Sequence, residues 1–165
     1  MRYAVFILAG FFVLACLVIP AHAFTMKNLD IVVGQNGDAT IDAQYDLSFL
    51  EQSAVYFRLA DPARELQSAF NTKSSMPVTV LSTDANSARI SIPSYAAVNK
   101  AAGGTTYTTP SLSFERARAA LNGYWFAPLV SLDFSKGVTK VTFPDGYSQQ
   151  FTGQISIPSV SHTIQ

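Results

Sequence analysis

The sequence predicts an α+β domain in which an antiparallel sheet of β-hairpins carries two or three helices on one face. Segments in which apolar and polar residues alternate occur in pairs around turn residues, which is typical of hairpins. Segments with capping residues and apolar residues at helical spacing separate these pairs. The predicted order of elements is therefore ββ-α-ββ-α-ββ.

Three hairpins are predicted from alternation and turn chemistry. The hairpins and their turns are 28–47 around 34–37, 76–95 around 84–87, and 138–151 around 144–146. The segment 99–109 is small and polar and contains Gly103 and Gly104, so it is predicted as a mobile loop. The pentapeptide Ile90–Ser94 recurs as Ile155–Ser159, which either a duplication or the common composition of strand ends explains.

The helices are predicted from their N-terminal signals. Ser48 and Glu51 form a capping box, Asp61 is a suitable N-cap before Pro62, and Ser113 is a suitable N-cap for the last helix. The predicted helices cover 48–60, 63–70 and 114–121.

The first 23 residues have the layout of a secretory signal peptide. Arg2 precedes an apolar run over 4–19, and the small residues Ala21 and Ala23 form a cleavage site before Phe24. At about 1.5 Å per residue the run covers about 24 Å, less than the roughly 30 Å of a bilayer core. Cleavage is therefore expected to leave one domain over 24–165.

Two alternatives for this segment stay open. Its length is close enough to the bilayer thickness for an uncleaved N-terminal anchor. The residues before Cys16 loosely resemble the lipobox of bacterial lipoproteins, although the apolar run continues beyond that cysteine. In each case the rest of the chain is expected outside the cytoplasm, secreted or attached to the outer face of the cytoplasmic membrane.

Composition excludes several classes of partner. Loss of Arg2 leaves 10 Lys and Arg against 11 Asp and Glu, a formal charge of about −1, and no long run of one sign occurs. This balance gives no basis for binding nucleic acid, and membrane contact is expected only through an uncleaved N-terminal segment. Because Cys16 is the single cysteine, the expected mature domain folds without disulfides.

The sequence predicts no catalytic residue, no cofactor and no metal ligand. After the signal there is one histidine, His162, in a Ser/Thr-rich C-terminal stretch that is predicted to be frayed. Asp38, Asp42 and Asp46 share a strand face with Asp30 on the neighbouring strand. Carboxylates four residues apart on a strand are separated by about 13 Å, too far for two to bind one ion directly. A solvated polar face is therefore expected.

Tyr124, Trp125 and Phe126 are the candidate binding surface. Aromatic residues with an apolar body and a polar tip suit interfaces and sugar faces. The competing interpretation is core packing, since a domain without disulfides needs its large side chains inside. Burial of Trp125 is the expected outcome.

Three segments, 124–129, 141–147 and 155–162, resemble stretches of small exported proteins of methanogenic archaea. This group has no assigned activity. The resemblance therefore implies an extracytoplasmic location and no functional residues.

The expected function is that of an exported, non-enzymatic cell-envelope domain that acts by binding or structural association with an envelope protein or surface component. One alternative is an extracytoplasmic carrier or sensor of a small apolar ligand. Another is a hydrolase in which Glu51, Glu65 or Glu115 meets an aspartate in the fold.

Overall fold

The structure, a computed structural model, describes residues 24–46, 64, 67, 77–84, 86–115, 119 and 132–165. Most of these residues lie in β-strands or in the turns between them. The strands are β1 (Phe24–Val33), β2 (Ala39–Asp46), β3 (Thr79–Thr83), β4 (Ser87–Ile92), β5 (Ala97–Ala101), β6 (Gly104–Thr108), β7 (Leu112–Ser113), β8 (Leu132–Asp133), β9 (Val138–Thr142), β10 (Ser148–Thr152), β11 (Ser156–Ile157) and β12 (Ser161–Ile164).

The described strands form three sheets. The largest has seven strands in the order β10-β9-β1-β2-β4-β3, with β8 beside the start of β1. Its neighbours are antiparallel except that β1 runs parallel to β8 and β9. A three-stranded sheet has the order β12-β6-β5, and β11 pairs with β7. β1 therefore lies at the centre of the large sheet.

The three predicted hairpins are confirmed as β1–β2, β3–β4 and β9–β10. In the first turn, the N–H of Gly37 donates to the carbonyl of Gly34 at 3.0 Å. Gly37 has a φ of 86°, and a Cβ there would lie 2.5 Å from the carbonyl oxygen of Ala96. Glycine is therefore required both by the turn conformation and by the close approach of the segment before β5.

The α+β prediction is wrong for the part of the chain that the structure describes. No helix is delimited there, and helical backbone occurs only at a few separate positions. These positions are Arg64, Gln67, Phe114, Glu115 and Ala119. The predicted helices 48–60, 63–70 and 114–121 fall almost entirely outside the described residues. Tyr107 of β6 and Ile157 of β11 belong to the core, so strands of the smaller sheets supply packing that helices were expected to supply.

Two further expectations are wrong. The predicted loop 99–109 forms most of the β5–β6 hairpin, and the predicted frayed C-terminus forms β12 beside β6. Hydroxyl pairs join β6 to β12, with Thr106 Oγ1 2.8 Å from Thr163 Oγ1 and Thr108 Oγ1 2.9 Å from Ser161 Oγ. These strands lack the apolar alternation that predicts a strand, because Tyr107 is the single buried residue among β5, β6 and β12.

The buried core is one cluster that includes residues of all three sheets. Ile31, Val33, Val141 and Phe143 are its largest fully buried side chains. All four belong to β1 or to β9 and the turn that follows it. The central parallel pair of strands is thus also the centre of the core.

The repeated pentapeptide has a similar role in both copies. Ile92 and Ile157 are buried, and the prolines that follow them are exposed. Each copy leads into an outer strand of the three-stranded sheet, β5 after the first and β12 after the second. In the first copy Ser94 has a φ of 53°, a left-handed conformation.

Candidate functional site

The predicted aromatic surface, Tyr124, Trp125 and Phe126, lies outside the described residues. The cleavage residues Ala21 and Ala23 lie outside them as well. Phe24, the predicted mature N-terminus, is the first residue of β1.

The most developed polar cluster of the described residues joins β12 to the β9–β10 turn. His162 of β12 places Nε2 2.7 Å from Oδ2 of Asp145, which lies in the turn. Tyr147 stacks on the imidazole, with 4.2 Å between ring centroids and an interplanar angle of 11°. Phe143 lies beneath, its ring centroid 5.2 Å from that of His162. His162 is therefore ordered, contrary to the prediction of a frayed stretch.

Local turn chemistry positions the carboxylate. Pro144, Asp145 and Gly146 form the turn, and Gly146 has a φ of 87°. Asp145 Oδ1 accepts the backbone N–H of Tyr147 at 3.0 Å, and the carbonyl of Phe143 accepts the N–H of Gly146 at 2.9 Å. One oxygen of Asp145 is thus held by its own turn, and the other is free to reach His162.

Electrostatics favours the ionised carboxylate. The hydrogen bond from His162 lowers the pKa of Asp145 below its ordinary value of 3.8, against a smaller opposing effect of desolvation, and the N–H of Tyr147 lowers it further. An ionised Asp145 accepts a hydrogen bond from the Nε2–H of His162, so Nδ1 is the acceptor in the neutral tautomer that donates this bond. A carboxylate and an oriented imidazole therefore lie beside the exposed Tyr147 ring.

This arrangement can bind a ligand or accept a proton from one. Tyr147 is 48% exposed, whereas Phe143 below it is buried. A histidine–aspartate pair also occurs in nucleophilic enzymes, where a hydroxyl or thiol completes it. Within the described part of the chain, no Ser, Thr or Cys side chain is hydrogen-bonded to His162. The site therefore presents recognition groups without an activated nucleophile among those residues.

Sequence reasoning missed this site because its parts are distant in the chain. Seventeen positions separate Asp145 from His162. The sequence predicts the turn 144–146, but no local pattern relates that turn to His162. The pairing of β12 with β6 brings them together.

The predicted carboxylates have separate partners. Asp42 pairs with Arg89 at 2.5 Å, and Asp46 pairs with Lys27 at 2.7 Å. Asp38 accepts the backbone N–H of Ser94 at 2.8 Å. Within the described ranges, no three His, Cys, Asp or Glu side chains gather as a metal-binding group. Glu115 is exposed, and Glu51 and Glu65 lie outside the described residues.

Asp42 belongs to a row of polar side chains that crosses the outer face of the large sheet. From β10 to β3, strand register gives the row Gln150, Lys140, Asp30, Asp42, Arg89 and Ser82. Asp30 and Asp42 are directly opposite each other, with a cation beyond each of them. The row balances its own charge, which suits a solvated sheet face.

Among the described residues, the structure contains no helix with the length and apolar character of a membrane span. Comparison with family models, curated proteins and solved structures finds no match to this chain.

Proposed function

We propose that this protein is an exported domain of the cell envelope that acts by binding or structural association, and that the cluster of Asp145, Tyr147 and His162 is a contact site. The observation that carries the binding role is the ordered stack of Tyr147 on His162 at the surface. An exposed aromatic ring with a polar rim is typical of recognition sites, because it offers contact area at a low cost in side-chain entropy.

The proposal of export rests on the layout of residues 1–23. Cleavage after Ala23 would leave every residue that the structure describes in the mature domain. If the segment is retained, β1 follows it directly, and the domain lies close to the outer face of the membrane. Both outcomes leave the cluster outside the cytoplasm.

Export is tested on the native protein by cell fractionation and N-terminal sequencing. We expect an extracytoplasmic protein that begins at Phe24, or an intact chain in the membrane fraction if the segment is an anchor. An intact protein in the cytoplasmic fraction would exclude export.

The contact site is tested by replacing Tyr147 with the photo-crosslinking residue p-benzoylphenylalanine in cells. Val32 is the matched control, because it is 47% exposed on the outer face of the large sheet. We expect a discrete adduct with an envelope component from position 147 and none from position 32. Equal labelling at both positions would exclude a specific contact at the cluster.

A functional role for the histidine is tested separately by His162→Gln, which can keep a hydrogen bond to Asp145 but removes the imidazole. We expect loss of the adduct at position 147 with little change in the melting temperature. Retention of the adduct in His162→Gln would restrict the contact to the tyrosine ring.

A further inference from the structure

β10 is an edge of the large sheet and is open to solvent. It ends the strand order of that sheet, and four of its five residues are exposed, Phe151 alone being buried. Its register with β9 is continuous from Ser148 to Thr152. The edge is therefore a regular extended strand with one unpaired side within the described part of the chain.

The hydrogen bonds at both ends of this strand pair identify the groups that face outward. The N–H of Phe143 donates to the carbonyl of Tyr147, and the N–H of Gly153 donates to the carbonyl of Gly137, both at 2.8 Å. In an antiparallel pair, residues on one strand alternate between facing the partner and facing away. Residues 149 and 151 thus face β9, as 147 and 153 do. The outward N–H and C=O groups are those of Ser148, Gln150 and Thr152.

Two other edges, β3 and β5, carry features that hinder pairing, and β10 does not. The register of β3 shifts between Val80 and Ser82, and β5 contains the charged Lys100. Bulges and lysines are the usual means by which sheet edges avoid further strands. The sequence of β10, Ser-Gln-Gln-Phe-Thr, contains no charge and no proline, and its register has no shift. This edge alone combines regular geometry with neutral side chains among the edges compared.

We infer that β10 pairs with β10 of a second copy of this chain, antiparallel and centred on Gln150. In this register Gln150 faces the second copy's Gln150, and Ser148 faces the second copy's Thr152. All three facing pairs join outward-pointing residues, so each forms two backbone hydrogen bonds and the edge is self-complementary.

Side chains and charges fit the same register. On the outer face two glutamine amides meet at the centre, with a serine and a threonine hydroxyl opposite each other on either side. Lys140 lies opposite Gln150 on β9. The two copies of Lys140 are separated by three strand spacings, about 14 Å, which exceeds the roughly 8 Å screening length at physiological salt. The proposed pairing of two β10 strands therefore does not bring the two Lys140 side chains into contact. It also differs from the contact proposed for Tyr147 and does not depend on export.

Disulfide trapping tests this pairing in the full chain, purified in detergent with Cys16→Ser as the background. In a hydrogen-bonded antiparallel pair the facing Cα atoms are about 5.5 Å apart, within the range that a disulfide spans. We expect Gln150→Cys to form a covalent dimer under mild oxidation, at least tenfold more than Ser82→Cys, which is exposed at the opposite edge. Equal yields from the two positions, or none from Gln150→Cys, would overturn the inference.

Charge exchange provides a second test that does not depend on oxidation. Gln150→Lys and Gln150→Glu each place like charges opposite one another, so each variant alone is expected to be monomeric. A mixture of the two is expected to restore the dimer, because opposite charges then meet at the centre of the join. Dimers of undiminished affinity in both single variants would contradict this register.

Hydrogen exchange on the unmodified chain supplies an internal control within one strand. The amides of Ser148, Gln150 and Thr152 are expected to become protected as protein concentration rises. Those of Gln149 and Phe151 bond to β9 and are expected to be protected at every concentration. Exchange of all five amides that is independent of concentration would show that the edge does not pair.

Discussion

The seven-stranded and three-stranded sheets have similar backbone hydrogen bonding, but their strands differ in how clearly the sequence predicts them. β1 buries Leu29, Ile31 and Val33 at alternate positions, so its inward face is visible in the sequence. In β6 only Tyr107 is buried, and β5 and β12 contain no buried residue. The comparison teaches that apolar alternation identifies a strand with a buried face. A strand held mainly by backbone and hydroxyl hydrogen bonds has no such signature.

The largest expected difference between the sheets is in the cost of truncating an apolar side chain. Ile31 is 1% exposed and lies at the centre of the core, so Ile31→Ala is expected to cost about 2–5 kcal/mol of unfolding free energy. Val98 of β5 is partly buried, and Val98→Ala is expected to cost about 1 kcal/mol. Denaturant unfolding of the two variants measures the ratio. Equal losses of unfolding free energy in the two variants would contradict the difference proposed between the sheets.

A smaller effect is expected at the β5–β6 turn, where Gly104 has a φ of 129°. A Cβ at this position would lie within contact distance of the carbonyl oxygen of Ile164, so Gly104→Ala strains the turn and displaces β12. We expect a loss of about 1–3 kcal/mol, measured by thermal or denaturant unfolding.

Gly103 is the matched control for that variant, because a Cβ there meets no atom within 4 Å. Gly103→Ala is expected to change stability by less than about 1 kcal/mol. If the two variants were equally stable, the three-stranded sheet would not depend on close contact between β6 and β12.

The hydrogen bond that connects the three-stranded sheet to the seven-stranded sheet is expected to contribute less to stability than the β5–β6 turn. The hydroxyl of Tyr107 donates to the carbonyl of Gln35 at 3.1 Å and so connects β6 with the β1–β2 turn. Tyr107→Phe keeps the buried ring and is expected to cost about 1 kcal/mol. Faster exchange of amides in β6, with unchanged exchange in β1, would locate the loss in the small sheet. Faster exchange in both strands would mean that the two sheets open together.

The smallest effect is expected from Asp145, whose pKa is lowered in the folded chain by the hydrogen bond from His162. A carboxyl with a lowered folded pKa stabilises the fold above its ordinary value of 3.8, and this contribution is lost as pH falls through the lowered value. Asp145→Asn is therefore expected to be slightly less stable than wild type at neutral pH, and the difference is expected to vanish in acid.

Asp133 is the control for that pH dependence, because hydrogen bonds from Ser135 lower its pKa in the same direction. Asp133→Asn is expected to show a similar acid dependence without changing the NMR shifts of the His162 ring. Asp145→Asn is expected to change those shifts. A ring signal that is insensitive to Asp145→Asn would contradict the contact between the small sheet and the β9–β10 turn.

Local sequence pattern was sufficient to predict the hairpins in which turn residues lie between segments of alternating apolar and polar residues. The turns at 34–37, 84–87 and 144–146 connect paired strands, and all three predicted hairpins are confirmed. The place of β1 between β2 and β9 was not predictable in this way. Its parallel pairing with β9 joins Asn28 to Val138, which are far apart in the sequence.

The candidate site, too, was predicted in part from local pattern and otherwise depends on contacts between distant segments. The sequence identified the turn that holds Asp145 and the single histidine of the segment after the predicted signal, but it predicted that His162 would be exposed and frayed. Pairing between β6 and β12 orders that residue, with Ser161 opposite Thr108 across 53 positions of chain. The sequence by itself determined the hairpins β1–β2, β3–β4 and β9–β10, because turn chemistry and period-two alternation act between neighbours. Tertiary structure decided that the polar β5–β6 segment forms strands and that β12 joins them, because β6 and β12 pair across a long stretch of chain that no local pattern relates.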